Sequence, residues 1–139
     1  MIHEVPDNTP PARQWTVDGF ARFWANPANL ELIVPQVVWP DIKGYWPCAK
    51  RPLVGRAAYV KGLVDFLAAV PGFRVEESDS ATNGDVVFIR WVAVGNPPVG
   101  TQRIMGVDRM IVKDGFVLEN RIHSDHPVFA QLASTGLLG

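Results

Sequence analysis

The chain has 139 residues, of which 47% are hydrophobic and 19% are charged, and its formal net charge is −1. This length suits a single domain that can bury a core and still enclose a cavity. Because Lys and Arg are not clustered, the charge pattern argues against binding to nucleic acid or to an anionic membrane.

Cysteine usage and hydropathy narrow the class of protein further. Cys48 is the only cysteine, so an internal disulfide and a cysteine-based zinc site are excluded. The sequence shows no signal-peptide pattern and no apolar run of about 18 residues. We therefore expect a cytoplasmic protein. The glycines match no phosphate-binding loop, which predicts no nucleotide cofactor.

The N-terminal half of the chain predicts an extended arm followed by helices. Residues 1–14 carry three prolines among polar residues, which favours an extended arm, and residues 15–139 are expected to form one domain. Thr16 is a suitable N-cap for a first helix that ends at Asn26-Pro27. The segments expected next are a short helix over about 28–33, a strand at 37–39, an irregular stretch over 43–55 and a long amphipathic helix from about 56 to 70.

The C-terminal half predicts an antiparallel meander. Strands are expected at about 73–81, 85–94, 102–112 and 116–125, with a short helix or tail over 127–138. Asn83-Gly84 and Asp114-Gly115 are typical of type I′ hairpin turns. Helices followed by such a meander indicate an α+β fold. A curved sheet wrapped on the long helix would leave a pocket suited to a small hydrophobic molecule.

Residues 119–125 contain the main candidate for catalysis. Glu119, Arg121, His123 and Asp125 occupy alternate positions of the last predicted strand, so their side chains share one face. That face is either a solvated surface or the polar floor of a cavity, and the apolar composition of the chain favours the cavity. Desolvation in an apolar pocket makes a carboxyl group a better base near neutral pH. We therefore expect Asp125 to be catalytic.

Two further residues are candidates to assist. Asp41 follows Trp39 by two positions, so both could face the same cavity, although an Asp after a proline also suits a turn. His123 could orient a substrate or carry a proton, and a structural histidine is the alternative. A metal site at His123, Asp125 and His126 is not favoured, because only two of these share a strand face.

Other charged and aromatic residues are expected to have structural or substrate-binding roles. Glu119 and Arg121 are expected to form structural ion pairs with Asp108 or Arg90 beneath the pocket, and Arg90, which lies among apolar residues, is expected to pair with Asp108. Most aromatic residues should belong to the core, but those near a pocket mouth could stack on a flat substrate. The candidate substrate-binding residues are Trp24, Trp39, Tyr45, Trp46, Phe66 and Phe129.

The order of several segments resembles the nuclear transport factor 2-like superfamily, and most closely its SnoaL-like branch of polyketide cyclases. The resemblance spans about residues 16–130 and is carried by residues 37–41, 52–56, 83–87, 106–108 and 114–125. It implies a cone-shaped (cystatin-like) fold, and it places Asp125 where the family has an acid/base Asp at the end of the last strand.

The same resemblance separates the possible chemistries. Asp41 lies where ketosteroid isomerases place their base, but Phe20 and Ala21 stand where those enzymes have a tyrosine. Limonene epoxide hydrolases add an Arg-x-Asp pair that is replaced here by Trp91-Val92-Ala93. These departures argue against a strict steroid isomerase and against an epoxide hydrolase.

Three hypotheses for function remain. The first is a cofactor-independent acid/base enzyme that isomerises, dehydrates or cyclises a small hydrophobic carbonyl-bearing molecule. The second is a binding module for such a molecule without catalysis. The third is an interaction module in which two copies pair through the sheet, and a homodimer is expected in any case. Ile104, Met105, Ile111 and Val117 are the residues expected to contribute to that interface.

Overall fold

The computed structural model describes residues 13–97, 100–136 and 138. Most of the predicted arm, two residues of the 95–100 loop and two residues at the C-terminus lie outside this part of the chain. Four helices and six strands follow one another as α1 (Val17–Ala25), α2 (Leu30–Ile33), β1 (Val38–Tyr45), β2 (Leu53–Val54), α3 (Arg56–Ala69), β3 (Arg74–Asn83), β4 (Val86–Gly95), β5 (Gln102–Lys113), β6 (Phe116–His123) and α4 (Pro127–Ser134).

All six strands form one curved sheet in the order β2-β1-β6-β5-β4-β3. The last four strands are joined as an antiparallel meander, as predicted. Strand β1 runs parallel to β6 and antiparallel to β2. The predicted α+β fold is confirmed. The pairing of β1 with β6 was not foreseen, because strand direction depends on contacts between distant segments of the chain.

The helices form where local sequence signals favour them. The Thr16 side chain accepts a hydrogen bond from the Gly19 backbone N–H at 2.9 Å, which caps α1. Helix α3 buries Tyr59, Leu63 and Phe66 against the sheet. At 14 residues α3 is the longest helix, and no helix in the described part of the chain is long and apolar enough to cross a membrane.

The two predicted hairpin turns differ in type. Asp114 and Gly115 both have positive φ, at 54° and 83°, as a type I′ turn requires. In the other hairpin Asn83 pairs with Val86, so the loop residues are Gly84 and Asp85. Only Gly84 of that hairpin has positive φ. This pattern is typical of a type II′ turn and differs from the predicted type I′.

The sheet has an inner face, which packs on α3 and encloses the core, and an outer face. On β5 the inner residues include Ile104, Asp108 and Met110, and on β4 they include Ile89 and Trp91. Opposite residues of β4 and β5 pair without a register shift, so the alternation of side chains holds along both strands.

Strand β6 changes phase at Leu118. Ile111 pairs with Glu119, whereas Val112 pairs with Val117, so Leu118 is an extra residue that forms a bulge. The bulge leaves both Val117 and Asn120 on the inner face. The residues that follow on the outer face are then Glu119, Arg121 and His123.

Candidate active site

A cavity of about 360 Å³ lies between the inner face of the sheet and the helices α1, α3 and α4. This volume suits a small organic molecule. The inner strands supply one wall, and residues of α1 and α3 supply the others. The aromatic side chains that line it are Trp15, Phe20, Phe23, Trp24, Trp46, Tyr59, Phe66, Phe73, Trp91 and Phe129.

Aromatic rings from three elements form one side of this cavity. The rings of Phe66 and Phe129 are nearly parallel, with an interplanar angle of 4° and centroids 5.7 Å apart. Trp46 lies with its centroid 5.1 Å from that of Phe66. Rings fixed in this way present flat apolar surfaces, which suit a flat apolar ligand.

Four polar side chains from α3, β4, β5 and β6 meet in the interior of the cavity. Trp91 Nε1–H donates a hydrogen bond to Asp108 Oδ1 at 2.8 Å. Asn120 Nδ2 donates to the Tyr59 hydroxyl oxygen at 2.8 Å. Asp108 is only 6% exposed and Asn120 only 2%. We call these four residues the polar tetrad.

Burial controls the protonation of the two titratable members of the tetrad. It raises the pKa of the Asp108 carboxyl to about 6, because desolvation outweighs the hydrogen bonds from Trp91 and Asn120 that favour the carboxylate. Burial also raises the pKa of the Tyr59 hydroxyl, against the effect of the Asn120 hydrogen bond. Near neutral pH Asp108 can therefore change its charge, while Tyr59 stays protonated.

Asp108 has no cationic partner among the described residues. No ion pair in that part of the chain includes it, and its hydrogen-bond partners are neutral. Burying a carboxylate without a counter-ion costs free energy, and such groups are common at functional sites. Asp108 is therefore a candidate functional residue.

The buried Asn120 amide also lowers the stability of the fold. Its oxygen Oδ1 is the one buried side-chain polar atom in the described part of the chain that lacks a hydrogen-bond partner. An unsatisfied buried acceptor typically costs about 1–3 kcal/mol. The Tyr59 hydroxyl accepts from Asn120, and no described residue accepts the hydroxyl proton in return.

Two glycines make room for the aromatic members of the tetrad. A Cβ at Gly44 on β1 would lie 2.7 Å from the Tyr59 ring, so only glycine leaves room for this ring in its present position. A Cβ at Gly106 on β5 would collide with the Trp91 indole. Gly106 is the residue that pairs with Trp91 across the two strands.

The three predicted catalytic residues lie outside this cavity. Asp41, His123 and Asp125 are exposed. His123 and Asp125 line a shallow surface groove with Cys48 and Arg90. The expectation that Asp125 faces the apolar cavity is wrong. Strand β6 ends at His123, and after the bulge at Leu118 its odd-numbered side chains lie on the outer face of the sheet. Whether these residues have a catalytic role stays a prediction.

His126 makes structural hydrogen bonds to α4 and to β5. Its Nδ1 accepts a hydrogen bond from the Val128 N–H at 3.1 Å and thereby caps α4. Its Nε2 lies 2.8 Å from Gln102 Oε1. In the described part of the chain no three His, Cys, Asp or Glu side chains are grouped so that they could hold a metal ion.

Of the six aromatic residues predicted to bind substrate, Trp24, Trp46, Phe66 and Phe129 line the cavity. The other two do not. Trp39 packs on Phe116 with ring centroids 5.4 Å apart. Tyr45 lies under the Arg121 guanidinium, whose carbon is 3.8 Å from the ring centroid. Both occupy odd positions of β1 and therefore lie on the face opposite to Val38, which lines the cavity.

Glu119 and Arg121 form an ion pair, but with each other and not with Asp108 or Arg90 as predicted. Arg121 Nε and Glu119 Oε2 lie 3.0 Å apart, and Arg109 approaches the same carboxylate at 3.3 Å. Arg90 was expected to pair with Asp108, and this is wrong. Because 90 is an outer position of β4, its guanidinium lies 3.8 Å from Glu77 and from Asp79 on the outer face.

Sequence reasoning did not select Asp108, Tyr59 and Asn120 as site residues. A signal for two of them was present. Asp108 interrupts the apolar inner positions of β5, and Tyr59 carries a hydroxyl within the apolar stripe of α3. Asn120 had no such signal, because its inward direction depends on the bulge at Leu118.

Comparison with known proteins places this geometry in context. The sequence profile of the SnoaL-like domain matches residues 26–120. No curated protein matches the chain by sequence.

Solved structures share the fold at low sequence identity. A candidate SnoaL-like polyketide cyclase from Jannaschia sp. CCS1 has a TM-score of 0.69 and 17% identity, with 84% of this chain and 89% of that chain covered. IdmH, a candidate polyketide cyclase from Streptomyces antibioticus, has a TM-score of 0.64 and 21% identity, covering 85% and 95%. A Catenulispora acidiphila protein with a ketosteroid isomerase-like fold, in complex with trimethylamine, has a TM-score of 0.68 and 13% identity, covering 85% and 91%.

Proposed function

Because the chain belongs to the SnoaL-like domain family, we propose that it is a cofactor-independent acid/base enzyme of cyclase or isomerase type. Its substrate would be a small, hydrophobic, carbonyl-bearing molecule bound in the cavity. The observation that carries this proposal is the Asp108 carboxyl, which is buried in an apolar cavity without a counter-ion among the described residues. We assign Asp108 the role of general base.

The first step that we propose is proton abstraction. Asp108 carboxylate takes a proton from a carbon next to the substrate carbonyl, and the electron pair of the broken C–H bond forms an enolate. The Trp91 N–H holds Oδ1 of Asp108, and we assign the other carboxylate oxygen, Oδ2, to receive the proton. A base with a pKa of about 6 is mostly ionised at neutral pH and is still basic enough to be useful.

Tyr59 is the proposed donor to the developing enolate oxygen. Its hydroxyl stays protonated, and it accepts a hydrogen bond from the Asn120 amide. That bond polarises the O–H group and strengthens its donation to a further acceptor. A preorganised donor in a water-poor site stabilises the charge that develops in the transition state.

The enolate then has two outcomes. In a cyclase, its carbon attacks a second carbonyl carbon of the same molecule, and the resulting alkoxide takes a proton back from protonated Asp108. In an isomerase, the substrate carries a C=C bond next to the acidic carbon, so the enolate is a dienolate, and protonated Asp108 returns the proton to its γ-carbon as the double bond moves into conjugation with the carbonyl. Either route restores the carboxylate and needs no external reagent. The aromatic walls would hold the flexible substrate in a compact form.

A binding module without catalysis is the second candidate, and one observation favours it. The polar groups of the cavity are few and bond to one another, as Trp91 does with Asp108 and Asn120 with Tyr59. Such pairs could serve only to satisfy buried groups around a tightly held ligand.

Exchange of carbon-bound protons for deuterium distinguishes the two candidates. The probe is 2-tetralone, a flat apolar ketone, incubated with the protein in D2O and followed by proton NMR. We expect the wild-type protein to accelerate exchange next to the carbonyl, and Asp108→Asn to reduce this acceleration by about 100-fold or more. The rate should fall as the pH drops below the Asp108 pKa of about 6.

Asp125→Asn is the matched control, because it makes the same chemical change at an exposed position. It should retain most of the acceleration. Loss of activity in Asp125→Asn with retention in Asp108→Asn would overturn the assignment of Asp108 and restore the prediction from sequence. A wild-type protein that binds 2-tetralone without accelerating exchange would support the binding module.

A further inference from the structure

The cavity opens along one short stretch of the chain. Many of its lining residues are buried, and those that are exposed are Arg13, Gln14, Thr16 and Arg22. All four lie within residues 13–22, on α1 and the segment before it. This stretch therefore forms the mouth of the cavity, and the polar tetrad lies in its buried interior.

Two of the four residues at the mouth are arginines. Arg13 and Arg22 are cations that line the cavity. Neither makes an ion pair within the described part of the chain. Asp18 lies one helical turn before Arg22, at a spacing that often gives a pair, and does not make one.

Among the described residues, no carboxylate lines the mouth beside these guanidinium groups, and the nearby Asp18 pairs with neither. The one acidic residue that lines the cavity is Asp108, which is buried. The one guanidinium in the described residues that stacks on an aromatic ring is that of Arg121, on the outer face. Arg13 and Arg22 thus lie beside Trp15, Phe23 and Trp24 without a cation–π contact.

We propose that the substrate of this site carries a carboxylate, which Arg22 and Arg13 bind at the mouth while the apolar body of the substrate lies in the cavity. This inference rests on the proposed function, because it names a class of substrate for the same site. A guanidinium group binds a carboxylate through two parallel hydrogen bonds, which fixes orientation as well as affinity. Anchoring one end at the mouth would direct the carbonyl-bearing end towards the polar tetrad.

The charge of the ligand also has a consequence for chemistry. A carboxylate kept at the mouth stays hydrated and distant from the Asp108 carboxylate, so the two negative charges do not meet in the apolar interior. An anion that entered in the opposite direction would be buried beside Asp108 without a counter-ion, which is unfavourable. Arg13 and Arg22 would therefore select the orientation of the substrate.

Two probes of nearly equal shape test the inference: naphthalene-1-acetate, which is ionised at neutral pH, and naphthalene-1-acetamide, which is neutral. Their affinities are measured by isothermal titration calorimetry with the full chain. We expect the acid to bind about fivefold more tightly than the amide, the size that two solvent-exposed ion pairs provide. Higher ionic strength should reduce this preference, because salt screens exposed charges.

Variants assign the preference to the mouth. Arg22→Gln should weaken binding of the acid and leave binding of the amide within about twofold, and Arg13→Gln/Arg22→Gln should abolish the preference. Arg103→Gln is the charge-matched control, because Arg103 is exposed and is not part of the cavity lining. It should retain the preference. Equal affinity of the two probes for the wild-type protein, binding of neither probe, or a preference that survives in the double variant would each overturn the proposal.

The outcome is separable from that of the proposed function. If Asp108→Asn abolishes deuterium exchange while the acid and the amide bind equally, the acid/base function stands and the carboxylate inference is wrong. If the preference for the acid depends on Arg22 while Asp108→Asn exchanges like the wild type, the anion-binding mouth stands and the assignment of the base is wrong.

Discussion

Asp108 and Asp125 show how environment separates two identical side chains. Asp125 is exposed beyond the end of β6, whereas Asp108 is 6% exposed on the inner face of β5. Burial raises the pKa of Asp108 to about 6. Because the unfolded chain exposes this group, its protonation is coupled to folding.

The first prediction concerns stability as a function of pH. The folded-state pKa of Asp108 lies above its unfolded value of 3.8, so the native state holds the proton more tightly between the two values. The contribution of this group to stability is therefore fully present below about pH 4 and is lost as the pH rises through about 6. A rise in pKa of about two corresponds to about 3 kcal/mol.

Asp108→Asn removes this pH dependence, because the amide has no charge to bury. Relative to the variant, the wild-type protein should lose about 3 kcal/mol of unfolding free energy between pH 4 and pH 7, measured by urea unfolding at each pH. Asp125→Asn should show no comparable difference from the wild type over this range. A difference between wild type and Asp108→Asn that is constant with pH would contradict the buried-carboxyl account.

At the scale of elements, the pairing of β4 with β5 builds the site. The strands pair from Val86 with Ile111 to Gly95 with Gln102 without a register shift. This places Trp91 opposite Gly106 and brings its indole N–H to Asp108. The missing side chain at 106 is what allows the indole to cross β5.

The second prediction follows from this contact. In Gly106→Ala the new Cβ would collide with the Trp91 ring and would lie 2.7 Å from the His123 carbonyl oxygen, which belongs to the backbone. Because a backbone atom cannot rotate away, we expect a loss of about 1–3 kcal/mol in unfolding free energy and a changed Trp91 fluorescence.

Met105→Ala is the neighbouring control, since its side chain is 51% exposed on the outer face. Its effect on stability should stay within about 0.5 kcal/mol. If Gly106→Ala is as stable as Met105→Ala, the close packing of Trp91 on β5 does not hold the site together.

At the scale of the whole molecule, the two faces of the sheet have different composition. The inner face supplies the core and the cavity. The outer face carries Met105 and Phe88, which are 51% and 43% exposed. Ile104 and Val117 were expected on an interface, and this is wrong, because both are inner-face core residues. Met105 is exposed as expected, and Ile111 is partly exposed.

The third prediction concerns the homodimer, which stays a prediction from the sequence. If two copies pair through the outer face, light scattering with size-exclusion chromatography at micromolar concentration should give a dimer. Phe88→Glu and Met105→Glu should each shift it towards a monomer, because a charge buried at an interface is unfavourable. Leu32→Glu, at an exposed apolar residue of α2, is the control and should stay dimeric. A monomeric wild-type protein would remove the prediction.

Local patterns were sufficient for the helices and for the meander, because they act over a few residues. The Thr16 cap, the apolar stripe of α3 and the Asp114-Gly115 turn each depend on near neighbours, and each is present as predicted. Hairpin-connected strands pair with their sequence neighbours, so the meander also follows from local signals.

Only the tertiary structure decided which side chains face the cavity. A one-residue bulge at Leu118 places Asn120 on the inner face and the ionisable residues after it on the outer face. The register of β4 and β5 brings Trp91 to Asp108, and helix α3 brings Tyr59 to Asn120 across 61 residues of chain. A bulge changes the direction of every later side chain in a strand, and its position depends on the partner strand. The sequence by itself therefore determined the helices, the meander and the apolar chemistry of the interior, while the pairing of β1 with β6 and the choice of Asp108 over Asp125 rest on contacts between distant parts of the chain.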